Sequence, residues 1–255
     1  MSFSNWQKCI KSFDARRDIA LPGDYDQTIE FCVEYFIEQA RLSIIEKGFF
    51  TVALSGGSTP KAILKLLSSE KYSKRLEWDK ILFFFGDERS VAPDNADSNY
   101  KMAMDCALKE LAVPSDHIFR MVVESEPEAN ARAYEKLIEE KVPNSQFDLI
   151  MLGMGDDGHT ASLFPHTAAL EVDNKLVVAN EVPQKQTLRM TFTYPCINQA
   201  HSICFFVLGK NKADILKDVL KGPYIPLEHP SQKIGTDKHK ALWIVDQSAS
   251  TQLEL

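Results

Sequence analysis

The chain has 255 residues, 44% hydrophobic and 25% charged, enough to fill the core of one large domain or two small ones. Its net charge of -7 comes without a basic run, which weighs against nucleic acid or an anionic membrane as partner; a few local cations still suffice for a small anionic substrate. Five scattered cysteines (Cys9, Cys32, Cys106, Cys196, Cys204) form no C-x-x-C, so neither a disulfide framework nor a zinc site is expected.

The N-terminal stretch MSFSNWQKCIKSFD contains no apolar run like that of a signal peptide, and no segment approaches the ~20 apolar residues of a membrane span. The final QLEL is not a recognised targeting signal, so a cytoplasmic setting is the expectation. Residues 1–26 are mixed, with Pro22-Gly23 as a turn. The spacing of Ile29, Val33, Phe36, Ile37, Ala40 and Ile44 predicts an amphipathic helix over 28–45, with Asp26 or Thr28 placed to cap it and Gly48 after its end.

The apolar run 49–54 (FFTVAL) predicts a buried strand that empties into Ser55-Gly56-Gly57-Ser58-Thr59-Pro60 and a helix with Ala62, Ile63, Leu66 and Leu67 on its apolar face. Thr59 suits its N-cap and Pro60 its first helical position. Exposed backbone N–H groups and a helix N-terminus together make an anion site. The same residues also make a plain capped turn. No Gly-Lys-Ser/Thr ending follows, so this is not a Walker A loop.

A second strand, 81–85 (ILFFF), opens into Gly86-Asp87-Glu88-Arg89, and Asp97 or Ser98 precedes a helix through KMAMDCALKEL. The charges at 87–89 read either as a surface ion pair or as site groups beyond a strand's end. Residues 116–121 predict a short strand, 126–142 a helix and 176–179 another strand. Over 188–194, Arg189, Thr191 and Thr193 alternate with Met190, Phe192 and Tyr194, a half-buried strand. A short helix starts at Pro195, strand 203–208 (ICFFVL) leads through Gly209-Lys210-Asn211-Lys212 into the helix ADILKDVL, 222–240 is loop, and 241–245 (ALWIV) is a last strand. Alternating strands and helices imply a mostly parallel, doubly wound α/β sheet flanked by helices. No repeat or interior linker divides it, so a single domain over 1–255 is expected.

The chain is organised around 147–165, FDLIMLGMGDDGHTASLFP. An apolar strand runs into Gly153-Met154-Gly155-Asp156-Asp157-Gly158-His159, which puts two carboxylates and an imidazole at the carboxyl edge of a sheet, where open α/β folds hold ligands. Gly153-x-Gly155-x-x-Gly158 matches the dinucleotide fingerprint literally, but Asp156 and Asp157 would face a pyrophosphate and the loop lies midway along the chain. Asp157, His159 and His166 lack tight metal-ligand spacing, so no metal is assigned, and Gly-x-Ser-x-Gly is absent. His159 therefore reads as a general base acting on water or a substrate proton, oriented by a carboxylate.

Ser55–Pro60 (SGGSTP), 86–100 (GDERSVAPDNADSNY) and 152–165 (LGMGDDGHTASLFP) resemble three motifs of the 6-phosphogluconolactonases, and 189–198 and 209–213 resemble later stretches of that family. The resemblance spans about 49–246. It implies a modified Rossmann-like fold resembling glucosamine-6-phosphate isomerase, hydrolysis of 6-phospho-D-glucono-1,5-lactone in the second step of the oxidative pentose phosphate pathway, and no cofactor; a monomer or weak dimer is the expectation for assembly. The isomerase relatives follow Asp-Gly-His with Ile-Ala-Phe-Asn-Glu-Pro; here Phe164 takes the place of the catalytic Glu, and Gly86-Asp87-Glu88-Arg89 replaces Met-Asp-Glu-Tyr. Asp156, where Pro is common, and His166, where Gly is frequent, depart mildly from the lactonase pattern. On this resemblance Gly56, Gly57, Ser58 and Thr59 hold the phosphate, with Arg189 and Lys212 completing the cradle. His159 is the base, Asp157 or Asp87 orients it, and Arg89 faces the developing oxyanion.

Overall fold

The apolar runs of the sequence meet as neighbouring parallel strands. The computed structural model describes residues 6–254. The parts of the N-terminal and QLEL readings that fall on residues 1–5 and 255 lie outside them. In chain order the strands are β1 (Ile10–Ser12), β2 (Arg17–Ala20), β3 (Phe50–Leu54), β4 (Ile81–Phe85), β5 (Asp87–Arg89), β6 (Leu149–Leu152), β7 (Val177–Val182), β8 (Thr187–Phe192), β9 (Ser202–Val207) and β10 (Ala241–Val245). The helices are α1 (Tyr25–Lys47), α2 (Ser58–Leu67), α3 (Asn99–Ala103), α4 (Pro127–Lys141), α5 (Tyr194–Asn198) and α6 (Ala213–Lys221).

The main sheet has the order β1-β2-β10-β9-β6-β3-β4, parallel throughout except for the antiparallel edge strand β1. Every residue of β3, β6 and β10 is buried, as expected where helices cover both faces of a parallel sheet. The strands end within a few residues of one another: Leu54 pairs with Phe85, and Leu152 with Phe205. The loops after β3, β4, β6 and β9 therefore emerge together at one edge. Phe84 of β4 packs against Phe119, Tyr134 and Phe147, and truncating such a buried ring to alanine costs about 3–5 kcal/mol.

A smaller antiparallel sheet, β5-β8-β7, stands beside that edge. The charged run 87–89, read from the sequence as loop, forms its first strand. The short strands β1 and β2 were also not anticipated. Residues 116–121 do not form a strand; a 3-10 turn at Ser115–His117 is followed by one bridge from Ile118 to Phe83. Helix α1 starts earlier than its apolar spacing suggests, because Asp24 and Gln27 form a reciprocal capping box. Helix α2 also starts early: Gly57 is its N-cap, and Thr59 lies inside the first turn. Among the described residues no helix is long and apolar enough to cross a membrane.

Candidate active site

The loop after β6 is folded onto its own histidine. The Gly155 N–H donates to the His159 carbonyl at 2.9 Å, and the Gly158 N–H to the Gly155 carbonyl at 3.1 Å. Asp157 Oδ1 accepts from the His159 backbone N–H at 3.1 Å and lies 2.5 Å from His159 Nδ1. When Nδ1–H donates to Asp157, Nε2 is the ring's acceptor nitrogen. Burial acts to raise the Asp157 carboxyl, but the hydrogen bonds and charge from His159 outweigh it and hold the pKa at about 2. The His159 ring stacks on Phe164 with centroids 3.9 Å apart. Beside its Nδ1 and Cε1 atoms there is no room for a side chain, since a Cβ on Gly155 would lie 2.1 Å from both. From the 222–240 loop, Ser231 donates through both N–H and Oγ to the Gly158 carbonyl, fixing the loop from outside.

Strand β5 brings a second group. Asp87 is buried; its Oδ2 accepts from Ser162 Oγ at 2.7 Å, and Asn99 Nδ2 donates to its Oδ1 and its carbonyl. Of the two carboxylates expected to orient His159, Asp157 makes the contact and Asp87 is engaged elsewhere. Buried Glu88 closes the N-terminus of α3, accepting from Ser98 Oγ and the Asn99 and Tyr100 N–H groups as well as from Arg89 N–H. Burial raises its pKa against the pull of those N–H groups. The antiparallel register sets Arg89 directly opposite Arg189 of β8. Arg89 donates to the Asp97 carbonyl, and Arg189 lies 3.9 Å from Asp87 and over the Phe164 ring.

The third element is the loop after β3. Gly57 sits at φ 109°, a conformation that glycine adopts without strain, and turns the chain into α2 with Ser58 and Thr59 in its first turn. From the loop after β9, Lys212 Nζ donates to the Met154 carbonyl at 2.9 Å and meets Asp156 at 2.5 Å.

These residues line two adjoining cavities of about 200 Å³ each. Asp87, Arg89, His159 and Arg189 face the first, and Ser58, Thr59 and Lys212 the second; Gly56, Gly57, Gly153 and Met154 border both. Of the two cations expected at the phosphate, Arg189 lines the histidine-side cavity and Lys212 the adjoining one. Sequence reasoning did not anticipate Ser162 and Asn99 as the partners of Asp87, Phe164 as the support of His159, or Asp156 as the partner of Lys212. The position of Ser162 three residues after His159 was the one available signal.

The comparisons agree with this architecture. Residues 23–243 match the family model described as glucosamine-6-phosphate isomerases/6-phosphogluconolactonase. The chain belongs to that family. It is 42% identical over 219 residues to the 6-phosphogluconolactonase of Chlamydia pneumoniae, covering 85% of this chain and 83% of that one. It is 38% identical over 246 residues to the one from Nostoc sp., covering 94% and 100%. The crystal structure of the 6-phosphogluconolactonase from Thermotoga maritima superposes with a TM-score of 0.78 at 28% identity, covering 90% of this chain and 99% of that one. The mostly parallel sheet flanked by helices is thus the fold of that family.

Proposed function

We propose that the chain hydrolyses 6-phospho-D-glucono-1,5-lactone to 6-phosphogluconate, the second step of the oxidative pentose phosphate pathway, with a water activated by His159. The observation that carries this reading is His159, paired with Asp157, facing a cavity lined by Arg89 and Arg189 that adjoins the one lined by Ser58, Thr59 and Lys212. That layout suits a substrate with an ester carbonyl at one end and a phosphate at the other. The α2 N-terminus and the Lys212 ammonium hold the phosphate. His159 Nε2 takes a proton from water as it attacks the lactone carbonyl, and Asp157 stabilises the resulting imidazolium. Arg89 offsets the charge on the tetrahedral oxyanion. The imidazolium then returns its proton to the ring oxygen as the carbon–oxygen bond breaks, giving the open-chain acid.

Phe164 supports the lactonase over the isomerase reading, because an aromatic ring cannot shuttle a proton where the isomerase relatives have a glutamate. A single domain is supported by one continuous apolar core, and a cytoplasmic monomer or weak dimer without nucleic-acid partners is the accompanying reading. The test is consumption of freshly prepared lactone against the spontaneous rate. Wild type should accelerate it, and His159→Ala should lower turnover by about 100- to 10,000-fold with the Michaelis constant little changed. Equal turnover in the two proteins would remove His159 from the chemistry.

A further inference from the structure

Two arginines stand directly opposite each other across β5 and β8, and among the described residues neither has a carboxylate within hydrogen-bond range. Cross-strand partners have their Cβ atoms about 5 Å apart, and like charges at that spacing destabilise a sheet. The Nε atoms of both Arg89 and Arg189 are buried without a hydrogen-bond partner, in a cavity they share with His159. Asp87 lies 3.9 Å from Arg189, outside hydrogen-bond range, with its own oxygens already taken by Ser162 and Asn99. Burial disfavours the charged Arg189 most and the Arg89 charge adds to it, while Asp87, Glu88 and Asp97 pull the other way. An arrangement that is unfavourable when empty becomes favourable when an anion with two acceptor oxygens enters between the guanidinium groups.

Resting on the lactonase reading, we propose that Arg89 and Arg189 form a second anion subsite, separate from the phosphate loop, that recognises the carboxylate created when the lactone opens. The ligand class is a six-carbon aldonate phosphate, a chain with a carboxylate at one end and a phosphate at the other. The ester carbonyl oxygen enters this subsite as a neutral group and leaves as one of two carboxylate oxygens. Attraction to the arginine pair therefore grows along the reaction, and the product binds more tightly than a neutral-ended analogue of the same length.

Calorimetric titration of the full chain with 6-phosphogluconate and with glucitol 6-phosphate, which replaces the carboxylate by a hydroxymethyl group, isolates this term. Wild type should bind 6-phosphogluconate roughly 10- to 100-fold more tightly, the range of charge-assisted hydrogen bonds. Arg189→Met should erase that preference while changing glucitol 6-phosphate affinity by less than about twofold. Arg189→Lys should keep part of it, since a point charge replaces a fork. Thermal midpoints of both variants report their folding. Equal affinity of the two ligands for wild type would overturn the proposal. So would Arg189→Met weakening both ligands alike, which would put the phosphate on the arginines. Lactone hydrolysis, assayed separately, tells the two readings apart. Hydrolysis without carboxylate preference removes the subsite alone. Carboxylate preference without hydrolysis keeps the subsite and removes the lactonase.

Discussion

Replacing Gly155 with alanine tests the placement of His159 without touching an ionisable group. The new Cβ would lie 2.1 Å from both Cε1 and Nδ1 of His159 and 2.8 Å from Asp157 Oδ1. To reach an ordinary carbon–carbon separation of about 3.5 Å the imidazole must retreat by roughly 1.4 Å. Its ring is stacked on Phe164 and bonded to Asp157, so this retreat disturbs one or both of those contacts. A misplacement near 1 Å costs about 100-fold in rate, and loss of the oriented base costs up to about 10,000-fold. We therefore expect Gly155→Ala to lower kcat by at least about 100-fold. The Michaelis constant should change little, because Gly155 does not line the phosphate-side cavity. The assay is lactone consumption at saturating substrate, corrected for spontaneous hydrolysis, beside a thermal denaturation curve. A well-folded variant within about threefold of wild-type turnover would refute the idea that this loop fixes the imidazole for catalysis.

Other expectations concern binding, stability and pH. Lys212→Ala should raise the Michaelis constant about 10-fold or more with kcat largely kept, because it removes a cation from the phosphate side; an unchanged constant in steady-state kinetics would exclude that contact. Arg75 holds the buried Glu34 carboxylate through two bonds of 2.6 and 2.8 Å. Arg75→Met should destabilise the fold by about 2 kcal/mol in urea denaturation, below the range for fully buried pairs because Arg75 is partly exposed; a change under about 0.5 kcal/mol would contradict it. The Asp157 carboxyl, held at about 2, lies below its unfolded value of 3.8, so its contribution to stability is present above that value and is lost as pH falls through 2. The difference in denaturation midpoint between wild type and Asp157→Asn should persist at pH 5 and shrink below about pH 4; growth on acidification would reverse the assigned sign.

The main sheet was legible because buried parallel strands read as apolar runs: 81–85 and 241–245 were bounded to the residue, and the other central strands nearly so. The loops with their glycines and charges were legible for the same reason, as interruptions at the ends of those runs. What stayed hidden depends on contacts distant in sequence. Strand β2 contains a buried arginine, Arg17, whose guanidinium donates to the Val219 and Leu220 carbonyls near the end of α6, and no local pattern announces that partner. Strand β5 is three charged residues. It is a strand only because β8 pairs with it and because Glu88 finds the N–H groups of α3. The opposition of Arg89 and Arg189 follows from a register across 100 residues of chain that neither segment encodes alone. The cap of α1 was missed by a few residues because the reciprocal Asp24–Gln27 contact outweighs the apolar spacing used to place the helix start.

Phe164 links the two halves of the cleft. The imidazole of His159 stacks on its ring, and the guanidinium of Arg189 lies 5.4 Å from the same ring's centroid. The ring is almost wholly enclosed, so its orientation is set by the core and not by solvent. The proton-accepting group and the charge-bearing group thus share one pivot, and a tilt of that ring is felt by both. Changes made at His159 and at Arg189 are consequently not independent events. Their combined effect will depart from the product of the separate ones, and the cleft behaves as a single mechanical piece assembled from strands that are far apart in the chain.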